Sequence, residues 1–306
     1  MKISQKIKKI LKNYSYAPPV VQLNLARLFM HGKLSGTGKL LIYPIDQGFE
    51  HGPSSSFSEN INSLDPLYHF KLASKAGLSA LAAPLGFLQT GAIPYMGEIP
   101  LILKLNNGSK LSPGGKEANQ ATTACIDEAI RLGCIGIGFT IYPGVNKTYS
   151  LYEELAELIK EAQDKGLFVV AWSYPRGNMK KEDETALNII DYGAHIACLL
   201  GAHIVKVKIP TDYISPIINS KAYDTSLIKN QSTRIGHVVK SCFNGKRVVI
   251  FSGGKKQPLE KIYDEAISIR DGGGYGAIIG RNCFQRPYEE SLEMLKNLIQ
   301  IYKTPI

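Results

Sequence analysis

The amino-acid sequence predicts an α/β protein that folds as a single (β/α)8 barrel. Eight short, almost continuously apolar runs recur along the 306 residues, and segments with helical spacing separate them. Runs of this kind are typical of parallel strands that are buried on both faces of a sheet. The predicted strands are residues 40–46, 77–84, 99–106, 135–143, 167–175, 203–210, 247–254 and 275–282.

The segments between the strands have the spacing of helices. Apolar residues recur every three or four positions in residues 151–162 and 292–302, and Pro287 suits the first turn of the last helix. A doubly wound sheet is the alternative fold, because periodicity alone does not show that a sheet closes. Three glycines lie at the start of a predicted strand or two residues before one, where glycine commonly ends the preceding helix: Gly77, Gly133 and Gly201.

The chain has no linker rich in proline, glycine or serine and no internal repeat. We therefore predict one catalytic barrel domain over residues 38–306. Residues 1–37 precede the first strand, and the apolar spacing within 20–29 is that of a helix. We expect this N-terminal helical extension to be an appended arm or a plug for the base of the barrel.

Composition excludes several classes of protein. The formal charge is +10, but the lysines are scattered outside residues 6–12, so we expect an anionic small substrate and no nucleic-acid partner. There is no run of 18 apolar residues, and the N-terminus lacks the apolar part of a secretory signal, so no membrane association is expected. Five cysteines without a C-x-x-C pair predict a reduced, cytoplasmic protein with buried thiols.

Polar residues end seven of the eight predicted strands. Barrel enzymes build their sites at the carboxyl ends of the strands, so these side chains are candidates for the site. A structural core does not require so many polar groups at one rim. The residues are Asp46, Asn106, Tyr142, Tyr174, Lys208, Ser252 and Arg281.

The sixth strand carries two lysines. Lys206 and Lys208 are two residues apart and share a face with Ile204, while Val205 and Val207 share the other face. The valine face suits packing against helices, so the lysines are predicted to point into the barrel. Burial and a neighbouring ammonium lower the pKa of a lysine, and imine formation with a ketone needs the neutral amine. The alternative is an exposed edge strand whose lysines keep the sheet soluble.

Asp46 follows the first strand. A carboxylate beside a lysine can orient it and shuttle protons, and Lys104 on the third strand is the predicted salt-bridge partner of Asp46. A helix cap or turn is the alternative role for Asp46. Glu50 and His51 come next, but no other histidine lies at ligand spacing, so no metal site is predicted.

Trp172 and Tyr174 share a face of the fifth strand. A tyrosine hydroxyl in a cationic site can transfer protons, whereas the tryptophan is either an apolar wall for a substrate or a core residue.

The seventh and eighth strands end in small residues. Small residues let backbone N–H groups approach an anion, and Arg281 adds a cation that can bind a phosphate through two hydrogen bonds. Phosphate sites in barrels are often built from the loops after these two strands. The predicted phosphate-binding residues are Ser252, Gly253, Gly254, Gly280 and Arg281.

Together these residues resemble the archaeal-type class I fructose-1,6-bisphosphate aldolases, a family that also has bacterial members. The resemblance covers about residues 38 to 285. It rests on DQGFEHGP (46–53), LILKLN (101–106), FTIYPG (139–144), WSYPRG (172–177), VKVK (205–208), SGG (252–254) and GRN (280–282).

The resemblance implies reversible cleavage of fructose 1,6-bisphosphate to dihydroxyacetone phosphate and glyceraldehyde 3-phosphate, in glycolysis and gluconeogenesis. It implies that Lys208 forms the imine, that Tyr174 transfers protons and that Asp46 is the aspartate of the first strand. Trp172 matches a tryptophan that contacts the substrate, and no cofactor or metal is implied. Ring-based homo-oligomers, often decamers, are common in the family. Lys104 and Lys206 join the predicted substrate-binding residues.

The chain departs from the family at several positions. Gln47 stands where many relatives have histidine, and Lys255 and Lys256 stand where relatives often have Pro-Lys. A transaldolase-like synthase or a thiolase on the same scaffold is the alternative activity, and a sugar-phosphate sensor without activity is an alternative of another class. WSYPRG and DQGFEHGP favour the aldolase, and the paired lysines argue against a sensor. A phosphatase activity is not expected, because no cluster of metal-binding carboxylates is evident.

Overall fold

A computed structural model describes residues 3–218, 221, 223 and 229–305. Eight parallel strands close into a barrel, each paired with its two neighbours in sequence and the last with the first, which confirms the predicted fold and rules out a doubly wound sheet. The strands are β1 (Leu40–Pro44), β2 (Ala80–Ala83), β3 (Leu101–Lys104), β4 (Gly136–Ile141), β5 (Phe168–Ser173), β6 (Ile204–Lys208), β7 (Val248–Ser252) and β8 (Gly276–Ile278).

Every strand lies within its predicted run and ends before the run does. The last residues of the runs leave the hydrogen-bond ladder and begin the loops at the rim of the barrel. In the loop after β3, Asn106–Asn107 pairs with Ala121–Thr122 in a short antiparallel ladder. The polar residues that the sequence placed at strand ends therefore lie mostly just beyond the sheet.

Helices cover the outside of the barrel and close its base. They are α1 (Gln5–Lys12), α2 (Pro19–Phe29), α3 (Gln47–His51), α4 (Pro53–Phe57), α5 (Pro66–Ala76), α6 (Leu85–Gly91), α7 (Ile126–Arg131), α8 (Thr148–Asp164), α9 (Leu187–Leu199), α10 (Gln231–Ser241), α11 (Leu259–Asp271), α12 (Arg281–Phe284) and α13 (Tyr288–Lys303). Short 3-10 turns occur at Ile61–Leu64, Ile93–Tyr95, Gly115–Glu117 and Asp183–Thr185.

The predicted helix ends are largely correct. Gly77, Gly133 and Gly201 follow α5, α7 and α9 with φ of 71°, 67° and 99°, a backbone conformation that favours glycine. Pro287 is one residue away from its predicted place. It is the N-cap of α13, which begins at Tyr288, rather than a residue of the first turn.

Two apolar clusters cover the two faces of the strands, one inside the barrel and one between the strands and the outer helices. On β6, Ile204 belongs to the cluster inside the barrel, whereas Val205 and Val207 belong to the cluster beneath the helices. This alternation confirms that Lys206 and Lys208 are on the inner face. Strand β6 pairs with both β5 and β7, so the edge-strand alternative is wrong.

The N-terminal segment closes the base of the barrel. Ile7 and Leu25 from α1 and α2 pack in the inner cluster. Tyr14 is fully buried, and its hydroxyl donates to the His203 carbonyl at 2.6 Å and accepts from the Val248 N–H at 3.0 Å. These two partners lie at the starts of β6 and β7, so the segment seals that end and leaves the other end open.

The cysteines follow the prediction of free, mostly buried thiols. All five are unpaired, four of them are buried, and Cys125 is exposed. Across the parts of the chain that the structure describes, we find no helix with the length and apolar character that a membrane crossing requires.

Candidate active site

A cavity of about 640 Å³ opens at the carboxyl ends of the strands. Six of the seven polar residues that end the predicted strands line it: Asp46, Tyr142, Tyr174, Lys208, Ser252 and Arg281. The seventh, Asn106, is buried and does not reach the cavity, because its side-chain amide is bonded to the Thr140 backbone at 2.7 and 2.8 Å. Asn106 therefore braces β3 against β4.

Three lysines on the inner face lie at different depths. Lys104 and Lys206 are buried, whereas the side chain of Lys208 is 27% exposed. Burial lowers the pKa of each lysine to about 8, although carboxylates nearby raise it in part. About a tenth of such an amine is neutral at pH 7, far more than for a free lysine. Lys208 is the most accessible of these candidate nucleophiles.

Lys104 is held below the cavity. Its Nζ donates to the Asn106 carbonyl oxygen and, at 3.0 Å, to Asn106 Oδ1. The predicted ion pair between Lys104 and Asp46 is wrong, because the Lys104 ammonium donates its hydrogen bonds to Asn106 instead. The charge of Asp46 still raises the pKa of Lys104 from a distance. Lys104 does not line the cavity, so the structure gives it no direct contact with a ligand there.

Trp172 lies in the barrel interior under Lys206. The Lys206 Nζ is 4.8 Å from the centre of the indole ring, and the ring fills space left by Gly138, where a Cβ would lie 2.1 Å from it. Trp172 is fully buried and does not line the cavity. Its position is that of a core residue, the second of the two roles considered for it from the sequence. Its Nε1 has no hydrogen-bond partner in the described residues.

Asp46 occupies the N-cap position of α3, but its side chain does not cap that helix. Its Oδ1 accepts a hydrogen bond from Gln47 Nε2 at 2.6 Å. Glu50, one turn later, also lines the cavity, and burial and the Asp46 charge raise the pKa of Glu50. The first loop thus brings two carboxyl groups to the cavity, with Gln47 holding one of them. The described residues contain no group of three or more histidine, cysteine or acidic side chains suited to hold a metal.

Tyr174 lies one residue beyond β5, and two cations lie near the face of its ring. Lys206 Nζ is 5.3 Å and the Arg176 guanidinium 5.8 Å from the centre of its ring. Burial raises the pKa of Tyr174 well above its usual value, so the group is a neutral phenol. Tyr142 lines the same wall, and its hydroxyl accepts from Gln120 Nε2 at 2.6 Å.

The loops after β7 and β8 form another side of the cavity. All five residues predicted to bind phosphate line it: Ser252, Gly253, Gly254, Gly280 and Arg281. Asn282 joins the two loops by donating to the Gly253 carbonyl and accepting from the Gln257 N–H. Gly254 has a φ of 67°, which a side chain would strain.

Sequence reasoning missed an acidic residue beside Lys208. Glu184 Oε2 accepts from Lys208 Nζ at 3.2 Å, and also from Arg176 and Lys181. Arg176 belongs to the WSYPRG motif, but it lies two residues beyond the predicted strand end at Tyr174. Glu184 is further along the same loop and has no signal in sequence beyond its charge, because only the folded loop brings it to the lysine.

Residues 40–286 match the sequence profile of the DeoC/LacD family of aldolases, which covers all eight strands. The chain belongs to this aldolase family. The match begins at the first residue of β1, so the N-terminal segment that seals the barrel base lies outside the part that defines the family.

Relatives within the aldolases share most of the chain. It is 34% identical to the class 1 fructose-bisphosphate aldolase of Thermoproteus tenax, over 86% of this chain and 89% of that protein. It is 32% identical to the probable class 1 fructose-bisphosphate aldolase of Chlamydia muridarum, over 92% of this chain and 84% of that protein.

A solved aldolase structure has the same fold. It is an archaeal fructose-1,6-bisphosphate aldolase whose catalytic lysine is covalently bound to the carbinolamine intermediate of the substrate. The two chains are 30% identical and superpose with a TM-score of 0.75, over 91% of this chain and 99% of the other.

Proposed function

We propose that this protein is a class I fructose-bisphosphate aldolase, which cleaves fructose 1,6-bisphosphate reversibly through a Schiff base and without a metal. The observation that carries the proposal is Lys208, an amine with a pKa of about 8 that reaches the cavity from the inner face of β6. Family membership and the names of the relatives support the same reaction.

The reaction begins with Lys208. Its neutral amine adds to the C2 carbonyl of the ketose to give a carbinolamine, which takes up a proton and loses water to form an iminium. The electron pair of the C3–C4 bond then moves to the iminium, leaving an enamine, while the C4 hydroxyl loses its proton and becomes the aldehyde. Protonation of the enamine and hydrolysis release dihydroxyacetone phosphate and restore the amine. The iminium supplies the electrophile that a metal would otherwise provide.

We assign proton transfer at the C4 oxygen to Tyr174. Because burial keeps Tyr174 a phenol, it donates its proton to the aldehyde oxygen in the condensation direction. In cleavage the phenolate form of Tyr174 accepts the proton of the C4 hydroxyl and returns to the phenol. Asp46 lies across the cavity on the first loop, where a carboxylate can assist loss of water from the carbinolamine.

The phosphate groups account for the rest of the site. Arg281 and the small residues after β7 and β8 suit one phosphate of the substrate, and Lys255 and Lys256 add positive charge to that side of the cavity. The net charge of +10 would attract such an anion. We also propose a cytoplasmic location and a homo-oligomer, up to a decamer. Light scattering tests the assembly directly.

Covalent trapping tests the proposal. Borohydride added with dihydroxyacetone phosphate should leave a reduced adduct that peptide mass spectrometry places on Lys208. The Lys208→Met variant should give no adduct, whereas Lys206→Met should still give one on Lys208. An adduct on Lys206, or unchanged cleavage by Lys208→Met, would contradict the assignment.

A coupled assay separates the alternatives. Release of both triose phosphates from fructose 1,6-bisphosphate in the presence of EDTA is expected for a class I aldolase. Binding without turnover would indicate a sensor, and turnover only with another carbonyl acceptor would indicate a synthase.

A further inference from the structure

One carboxylate oxygen behind the site contacts three cations. Oε2 of Glu184 accepts from Arg176 Nη1 at 2.8 Å, from Lys181 Nζ at 2.9 Å and from Lys208 Nζ at 3.2 Å. The Glu184 side chain is 10% exposed and does not line the cavity. It therefore contacts Lys208 from the protein side, while Lys208 also faces the cavity.

The backbone fixes the position of this carboxylate. Glu184 is the middle residue of the turn Asp183–Thr185. The Thr185 carbonyl accepts from the Thr211 N–H at 2.8 Å and from the Thr211 hydroxyl at 3.0 Å. These bonds join the loop after β5 to the loop that begins directly after Lys208. The carboxylate and the lysine are thus held together from both loops.

The charges around Lys208 act in opposite directions. Burial and the Arg176 charge lower the pKa of Lys208, Glu184 raises it, and Lys181 lowers it. Burial alone would raise the pKa of Glu184, but its three cations lower it overall, so the carboxylate is ionised at neutral pH. Glu184 is the anion in direct contact with the Lys208 nitrogen.

We propose that Glu184 is a positioning residue that holds Nζ of Lys208 in place and keeps the imine at that nitrogen protonated during cleavage. The inference rests on the proposed Schiff-base function. A protonated imine is the electron sink that the C3–C4 bond needs, and the N–H of an iminium would form a charge-assisted hydrogen bond to the same oxygen. No atom is transferred to Glu184, and the hydrogen stays on nitrogen when the iminium takes up the electron pair and becomes the neutral enamine.

This role has two consequences of opposite sign. Glu184 favours the ammonium form of the free lysine, which slows attack on the ketone. It also favours the iminium over the neutral imine, which speeds cleavage. Removing the carboxylate should therefore make the free amine more reactive at low pH and the enzyme slower. A residue that only supports the fold would not separate these two effects.

The decisive variant is Glu184→Gln, with Glu182→Gln as its matched control. Glu182 is two residues away, its side chain is 58% exposed, and its carboxylate lies 3.9 Å from the Lys180 ammonium. Competitive acetylation with acetic anhydride, quantified at Lys208 by mass spectrometry across pH, measures the pKa of the amine. We expect Glu184→Gln to lower the midpoint by about one pH unit, as expected for loss of a nearby opposite charge, and the control to leave it unchanged. Turnover of fructose 1,6-bisphosphate by Glu184→Gln should fall by about tenfold or more, because the imine would be protonated less of the time.

A second variant tests the opposite sign. Lys181 has a side chain that is 83% exposed, so Lys181→Gln should fold normally. It removes a cation that lowers the pKa of Lys208, so the acetylation midpoint should move to higher pH. An unchanged midpoint in Glu184→Gln, or unchanged turnover, would overturn the inference while leaving the trapped Lys208 adduct intact. Failure of the unmodified enzyme to form that adduct would overturn the inference and the proposed function together.

Discussion

The two ends of the barrel treat buried polar groups differently. At the base, the Tyr14 hydroxyl bonds to the backbones of His203 and Val248, and His203 Nδ1 accepts from the Val169 N–H at 3.1 Å. At the rim, Lys208 and Tyr174 border an open cavity of about 640 Å³. At the base these polar groups join strands, whereas at the rim Lys208 and Tyr174 lie where a ligand can reach them.

Both ends of the barrel contain buried ionisable groups, but only those at the rim border the proposed site. Burying ionisable groups opposes folding unless partners compensate, and perturbed groups facing a cleft are candidates for chemistry. Lys39 at the base also has a pKa lowered to about 8 by burial, but its Nζ donates to the Gly274 carbonyl at 2.6 Å. A lowered pKa alone therefore does not identify the site; Lys208 is distinguished by its place at the carboxyl end of β6, where it lines the rim cavity.

The largest effect is expected at the rim for Tyr174→Phe. Loss of the phenol should lower kcat by about 100- to 10,000-fold, because proton transfer at the C4 oxygen depends on it. Borohydride trapping of Lys208 should persist, since imine formation does not need this hydroxyl. Tyr142→Phe is the control and should change kcat far less, because the Tyr142 hydroxyl is bonded to Gln120. Equal losses in the two variants would contradict the assignment.

Arg281→Gln should chiefly weaken substrate binding. Loss of a charged hydrogen-bond donor costs about 1.5 to 3 kcal/mol, so we expect KM to rise by about 10- to 100-fold. Steady-state kinetics with fructose 1,6-bisphosphate measure it. Arg270→Gln is the matched arginine away from the cavity, where Arg270 pairs with Asp271 at 2.7 Å, and it should leave KM unchanged. A kcat effect larger than the KM effect would mean that Arg281 serves the chemistry more than binding.

The pH profile distinguishes the two ends of the barrel by their lysines. The pKa of Lys208 is about 8 and attack needs the neutral amine, so kcat/KM should rise about tenfold per unit below that pH and level off above it. Stopped assays from about pH 6 to about pH 9 cover the range. Lys39→Met removes the lysine with the same pKa at the base and should leave the profile unchanged. A pH profile that changes in Lys39→Met would show that the lysine at the base also controls activity.

The smallest effect on activity is expected for Tyr14→Phe. The change removes hydrogen bonds to two backbone groups, so the free energy of unfolding should fall by about 1 to 3 kcal/mol while kcat stays the same. Urea unfolding measures it. Tyr16→Phe is the control, because Tyr16 is 53% exposed and contacts His203 only through its ring. A loss of kcat in Tyr14→Phe would mean that the base and the rim are coupled.

The sequence could not give the depth of the inner-face side chains or the partners that they contact. The sequence placed Lys104 and Trp172 on the inner face, which is correct, but it could not show how far below the cavity they lie. That depth depends on the space beside Gly138 and on the Asn106 side chain, which come from other strands. Asp46 was expected to orient Lys208, yet the contacting carboxylate is Glu184.

The sequence by itself determined the eight strands, the glycines that end three helices and the inner face of Lys206 and Lys208. These features follow from local periodicity, since alternate residues of a strand must face opposite sides of a sheet. Only the tertiary structure decided that Glu184, 24 residues from Lys208, is its partner. Loop backbones are set by contacts between loops, so a pairing across two of them has no local pattern that could predict it.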